Sequence, residues 1–282
     1  MNEKQMDALL VEVQKCMVDC VEDAALHKKL PAKNILGAGK MLRARLVLCL
    51  GVANGMDSQG RVHAAAAVEI LHGASLLHDD VIDNGFLRRG MPTFWKKHGV
   101  NGAILLGDLL VLKSMDLLSS INRLDLLQEL IAQAILVCRS EVEQELILRG
   151  APGSWAECEQ IARQKTGALF AFAAVAASKT KEEADALREA GFLLGTAYQL
   201  ADDILDASGN EALSGKTLGR DQERGKTTAI STEKEAPAQL KKHVESLLVA
   251  SLEQLIAFPD LHVAWAHFLD DPIRPLLQKY TA

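Results

Sequence analysis

Leu71-His72-Gly73-Ala74-Ser75-Leu76-Leu77-His78-Asp79-Asp80-Val81-Ile82-Asp83 is the stretch that decides the fold of this 282-residue chain. An apolar run ends in three aspartates spaced DDxxD. The same spacing returns at Asp202-Asp203-Ile204-Leu205-Asp206, again after apolar, helix-like sequence. A helix places positions i and i+4 on one face, so Asp79 points with Asp83, and Asp202 with Asp206. Neighbouring carboxylates repel, and the C-terminal part of a helix disfavours negative charge. A chain that accepts this cost twice, in one form, needs a hard cation there. Mg²⁺ fits: it takes oxygen ligands, keeps several waters, and bridges a few carboxylates to a substrate's phosphates.

Outward from these clusters the chain reads as helix throughout. Amphipathic sequence spans 4–27 and is broken by Pro31 and the Gly37–Gly39 stretch. Helix resumes over 42–54 and 60–83. Gly85, Gly90 and Pro92 mark a loop. Residues 101–120 and 123–149 form two long helices. Ser154 with Glu157 is a capping box for a helix running to about Ser178. A helix over 181–206 carries the second cluster. Residues 207–226 are Gly-rich and polar, hence loop; 238–257 is helical, and a short helix follows Pro259. No alternating strand pattern of useful length, linker or repeat interrupts this. The expectation is one all-α domain over 1–282, roughly ten helices with helix-borne residues facing a deep central cavity.

Composition agrees. About half the chain is hydrophobic, so a sizeable core is available, and aromatics make up only 4%. Abundant Leu and Ala favour packed helices over sheets. A net charge of −6 argues against nucleic acid as partner. The cysteines at 16, 20, 49, 138 and 158 are odd in number without CxxC spacing, as in a reduced, cytoplasmic protein. The first residues carry no apolar signal segment, and no run reaches the ~18 apolar residues of a transmembrane segment.

Basic residues narrow the chemistry. Lys40 and Arg43 stand three apart at a loop-to-helix junction. Arg88-Arg89-Gly90 follows the first cluster by five residues. Lys165-Thr166-Gly167 lies in the middle of an apolar helix. Lys216 and Lys226, each after a glycine, lie past the second cluster. Carboxylates for Mg²⁺, with Arg and Lys nearby and glycines in the loops, suit a diphosphate: Arg holds its oxygens bidentately and Lys supplies point charge. A mid-helix lysine such as Lys165 also suits simple snorkelling to solvent; in this company it reads as a ligand. His78, which adjoins the cluster, reads as structural.

These motifs resemble those of the trans-prenyl diphosphate synthases. The segment from Leu71 to Asp83 with Arg88-Arg89-Gly90 is similar to the family's first aspartate-rich motif, and Gly195 to Asp206 to its second. Lys40 and Arg43 fall where the family's GGKxxRP motif has them. Gly107-Asp108-Leu109-Leu110 and Gln164-Lys165-Thr166-Gly167 match as well. The likeness runs from about residue 35 to 230, and six motifs in order, counting Arg88-Arg89-Gly90 as one, make it specific.

The resemblance implies an all-α bundle, usually in a homodimer, that joins isopentenyl diphosphate to an allylic prenyl diphosphate. It implies a metal site of Asp79, Asp80, Asp83, Asp202, Asp203 and Asp206. Arg88, Lys165, Thr166, Gln199, Lys216 and Lys226 would take the allylic diphosphate, and Lys40, Arg43, His72 and Arg89 the isopentenyl diphosphate. Such catalysis is electrostatic: charge grows on the departing diphosphate, and cations stabilise it there.

Residues five and four before the first aspartate often floor the family's cavity. Here they are Ala74 and Ser75, both small, which points to an open floor and a long all-trans product of roughly thirty to fifty carbons by analogy. Geranylgeranyl or farnesyl diphosphate is the alternative. The chain departs from the family at Ala38, Met41, Ala44, Tyr198 and Ala229. Met41 replaces an arginine, which bears on isopentenyl diphosphate binding. A terpene cyclase also uses DDxxD and Mg²⁺, but its second motif differs from DDILD and it needs no second diphosphate site. A subunit of a heteromeric synthase tends to lose aspartates or basic ligands, and both sets are present here.

Overall fold

A computed structural model describes residues 1–22, 39–88, 90–150, 153–208 and 237–281. The described residues are helical almost throughout, as expected, and fall into two compact units, Met1–Ile131 and Ala132–Ala282.

In the first unit, α1 (Glu3–Val21) starts at a capping box in which Asn2 and Gln5 exchange side-chain and backbone bonds. Its buried residues, Leu10, Val13, Met17 and Val21, keep the 3–4 spacing of one face, which packs on α3 (Ser58–Ile82). Asp57 caps α3 by accepting from the Gly60 N–H at 2.7 Å. Four fully buried alanines, Ala64 to Ala67, keep the middle of α3 narrow and let its neighbours approach.

α2 (Leu42–Ala53) begins after Met41, which sits in the left-handed region at φ 49 and offers the helix no side-chain cap. The cap comes from elsewhere: the carboxylate of Glu69, on α3, accepts the Ala44 N–H at 3.0 Å. Burying that carboxylate is compensated by the positive end of α2.

A turn through Asn84 (φ 48) leads to a two-stranded hairpin, β1 (Leu87–Arg88) with β2 (Met91–Pro92), closed at Gly90 (φ 73). These two-residue strands stand where the sequence reads simply as loop. Thr93 and Trp95 both donate to the Gly85 carbonyl, pinning the hairpin base. α4 (Phe94–Ser120) starts seven residues before the expected 101, because the chain stays regular up to a kink at Gly99 (φ 82, ψ 162).

α5 (Leu124–Glu143) continues as a π-helical turn, Gln144–Leu148. In the second unit, the expected capping box of Ser154 and Glu157 opens α6 (Trp155–Ala162). A second π turn, Arg163–Gly167, passes into α7 (Ala168–Val175), every residue of which is buried. α8 (Lys181–Ser208) packs along α7 and runs past the second acidic cluster. Gly191 and Gly195 lie one turn apart on the face of α8 that meets α7. A Cβ on Gly191 would come 2.5 Å from the Ala171 Cα. The two backbones therefore touch with no side chain between them.

α9 (Pro237–Glu253), α10 (Pro259–Phe268), a third π turn and α11 (Arg274–Tyr280) complete the described chain. The fully buried Trp265 donates to the Ser251 hydroxyl at 3.0 Å, so its one polar atom is satisfied. Tyr198, one of the departures from the family pattern, has its hydroxyl 3.3 Å from that of Tyr280, a tie from α8 to α11. No helix among the described residues is long and apolar enough to cross a membrane.

Candidate active site

The two acidic clusters lie in different units, each with its own polar partners. In the first, Asp79 and Asp83 are half-buried, one turn apart at the end of α3. Asp80 differs from both. Its side chain is only 8% exposed and is held by Arg88 of β1. Arg88 Nε donates to both carboxylate oxygens at 2.9 and 3.0 Å, and Nη2 donates to Oδ1 at 2.7 Å. The hairpin thus returns the chain after eight residues and places a guanidinium beside the cluster. Burial raises the Asp80 carboxyl above its usual range, and Asp79 and Asp83 add to that rise while Arg88 opposes it. Burial works against the Arg88 charge, but the Asp80 bonds and the two other aspartates outweigh it and hold the guanidinium cationic.

The same region contains a pair that sequence reading misses. The imidazole Nε2 of His78 lies 3.3 Å from Asp108 Oδ1 and 3.2 Å from the Ile104 carbonyl, both on α4. Gly107 makes room for it, since a Cβ there would meet Nε2 at 2.3 Å. The Gly107-Asp108 motif is therefore a seat for His78, which ties α3 to α4 next to Asp79.

In the second unit the α7–α8 contact sets the geometry. The π turn Arg163–Gly167 adds one residue to a turn of helix, and Lys165 lies on it rather than on the regular helix the sequence suggests. Thr166 donates to Gln199 Oε1 at 2.6 Å, and Gln199 Nε2 donates to Asp203 Oδ1 at 2.9 Å. Three residues expected at the site are thereby strung together. Lys165 pairs with Glu141 of α5, a partner that a single sequence does not announce. Arg163 forms two bonds to Glu189 and stacks its guanidinium 4.3 Å from the Phe192 ring, anchoring the start of the turn. Asp202, Asp203 and Asp206 are half-buried, while Ile204 and Leu205 between them are buried.

The remaining candidates are placed as follows. Lys40 is exposed just before α2, and Arg43 is half-buried in its first turn. His72 is half-buried on α3, two turns before Asp79. Ala74 is fully buried, whereas Ser75 is half-buried and returns its hydroxyl to the His72 carbonyl at 2.9 Å. Arg89, Lys216 and Lys226 lie outside the described residues.

Among the described residues no three His, Cys, Asp or Glu side chains converge closely enough to enclose a cation alone. Carboxylate oxygens in i, i+4 pairs, one pair per cluster, still match Mg²⁺, which completes its shell with waters and substrate phosphates.

The model of the polyprenyl synthetase family matches residues 26–254 of this chain. The chain belongs to that family. The octaprenyl diphosphate synthase of Haemophilus influenzae is 31% identical over 219 residues, which cover 76% of this chain and 67% of the relative. The geranylgeranyl diphosphate synthase of Methanosarcina mazei is 31% identical over 236 residues, covering 74% and 70%. The crystal structure of polyprenyl synthase from Caulobacter crescentus, complexed with calcium and isoprenyl diphosphate, superposes with a TM-score of 0.74 at 28% identity. It covers 99% of this chain and 94% of its own. Relatives in the polyprenyl synthetase family thus make products of different length on the fold this chain shares.

Proposed function

We propose that this chain is a Mg²⁺-dependent prenyltransferase that joins isopentenyl diphosphate to an allylic prenyl diphosphate and releases a long-chain all-trans polyprenyl diphosphate. The observation that carries the reading is the bonded series Thr166–Gln199–Asp203. It ties a basic π turn, with Lys165 on it, to an acidic cluster, so anion-binding and cation-binding groups are held in one frame.

Asp79, Asp80 and Asp83 would hold metal at the first cluster, and Asp202, Asp203 and Asp206 at the second. Arg88 donates three bonds to the two Asp80 oxygens, which fixes that carboxylate and leaves Oδ2, where only one of them ends, a further lone pair. Mg²⁺, when bound, withdraws charge from the departing diphosphate. Arg88, Lys165, Thr166 and Gln199, with Lys216 and Lys226, orient the allylic diphosphate and stabilise the charge that grows on it. Lys40, Arg43, His72 and Arg89 hold isopentenyl diphosphate. All of 1–282 serves this one activity. No protein nucleophile is required: the allylic C–O bond breaks as the diphosphate leaves, the isopentenyl double bond supplies the electron pair of the new C–C bond, and the released diphosphate takes up the lost proton.

The small half-buried Ser75 favours a long product over geranylgeranyl or farnesyl diphosphate. The protein works as a homodimer: within the second unit Ile135 and Val142 on α5, and Leu146 on the π turn that follows it, are exposed at helical spacings, an apolar stripe suited to a second copy. The five cysteines are free, which suits a reducing cytoplasm.

The test is incorporation of labelled isopentenyl diphosphate into a prenyl product by the purified chain. Asp79→Ala or Asp202→Ala should each lower the rate by about a hundredfold or more, on the scale of a lost transition-state contact. Undiminished incorporation in both variants would exclude this site.

A further inference from the structure

Three side chains of the π turn are tied to three separate anchors. Arg163 goes to Glu189 and Thr166 to Gln199, both on α8, whereas Lys165 goes to Glu141 on α5. The Lys165–Glu141 pair is well shielded, with side chains 23% and 20% exposed. Its carboxylate stands on a firm base. Leu136 and Val137, one turn before Glu141, pack on Ala168, Ala171 and Phe192, the core just beyond the π turn.

A carboxylate beside an anion-binding lysine has two opposed effects. Its charge repels the incoming diphosphate. Its hydrogen bond fixes an ammonium that otherwise moves freely on a four-carbon stem. The geometry separates these effects. Lys165 lies within a turn that the Arg163–Glu189 and Thr166–Gln199 bonds already anchor on either side of it, so the freedom left to remove is that of its own side chain. Glu141 removes it.

We infer that Glu141 is a positioning residue for Lys165, holding the ammonium where the allylic diphosphate is received. This rests on the role given to Lys165 in the proposed reaction and adds to it a residue that never touches substrate.

The sign of one substitution decides between position and repulsion. Glu141→Gln should raise KM for the allylic diphosphate about tenfold and leave KM for isopentenyl diphosphate unchanged. In a Lys165→Gln background the same substitution should have no further effect, because its action passes through Lys165. Glu141→Asp should recover part of the loss. Thermal unfolding of each variant separates these effects from a loss of folding, which would raise neither KM selectively.

A lower KM in Glu141→Gln would overturn the inference in favour of simple repulsion. So would equal shifts for both substrates, or full additivity with Lys165→Gln. A wild-type chain that transfers no prenyl group would overturn the proposed reaction and this inference together, whereas an active wild type with additive variants overturns the inference alone.

Discussion

Gly195 of α8 lies so close to Gly167 that a Cβ added to it would sit 2.4 Å from the Gly167 Cα. That contact brings the end of the π turn against the helix carrying Gln199 and Asp203. The Thr166–Gln199 bond of 2.6 Å is its direct consequence. Packing between two glycines therefore sets the position of the polar groups one turn further on.

Gly195→Ala should accordingly damage both packing and site. Overpacking a filled core costs about 1–3 kcal/mol, and here the clash is with backbone, which cannot turn aside. A lower unfolding midpoint in urea, together with weakened binding of allylic diphosphate, is the expected result. Wild-type stability in this variant would mean that the π turn and α8 are not in backbone contact at Gly167.

The Asp80–Arg88 pair should be sensitive to the loss of one partner and tolerant of the loss of both. Asp80→Asn leaves a shielded guanidinium without its counter-charge, at a cost of roughly 3 kcal/mol. Asp80→Asn with Arg88→Leu should recover a good part of that in chemical denaturation, although activity stays low. If the double variant is no more stable than Asp80→Asn, the cost of the single substitution does not come from an unpaired guanidinium.

Much of this was legible in the sequence, and the limits have physical reasons. The helix expected over 181–206 is α8 at Lys181–Ser208, and the Ser154–Glu157 capping box is formed, because periodicity and caps are local signals. The π turn at Arg163–Gly167 was not legible, since one extra residue in a turn leaves the apolar pattern nearly intact. The hairpin at Leu87–Pro92 is too short for alternation to show. Glu141, Asp108 and Glu69 find their partners on other helices, and such pairs are invisible in one chain. Glu69 left a trace as a lone acid within the apolar run Ala64–Leu71, and Asp108 as part of the motif Gly107–Leu110, though neither announced its partner. The six aspartates stand out in the sequence because their spacing repeats. Lys216, Lys226 and Arg89 lie outside the described residues.

The Ser154–Glu157 capping box supplies a pH dependence. The Ser154 backbone N–H, and then its hydroxyl, hold the Glu157 carboxyl below its usual value of 4.5. A group depressed on folding adds stability above its unfolded pKa and loses it as pH falls through the folded one. Wild type should therefore exceed Glu157→Ala in stability at pH 6, and the gap should shrink from about pH 4.5 downward. Urea midpoints of both proteins at pH 6 and pH 3 check this; a gap that widens in acid has the wrong sign.

Product length should respond to Ser75 rather than Ala74. Ser75 is half-buried, so a phenylalanine there has somewhere to go and should shorten the product by several isoprene units. Ala74 is fully buried, and Ala74→Phe should unfold the helix packing before it reports on length. Sizing the dephosphorylated products of Ser75→Phe and wild type side by side tests this, with unchanged lengths counting against a floor at that position.

The most direct measurement is elongation by the purified chain. It is given isopentenyl diphosphate, farnesyl diphosphate and Mg²⁺, and the products are dephosphorylated and sized. The account predicts polyprenols of roughly thirty to fifty carbons, and no product once the metal is chelated. Unaltered substrates in the presence of Mg²⁺, from a folded protein, would contradict it.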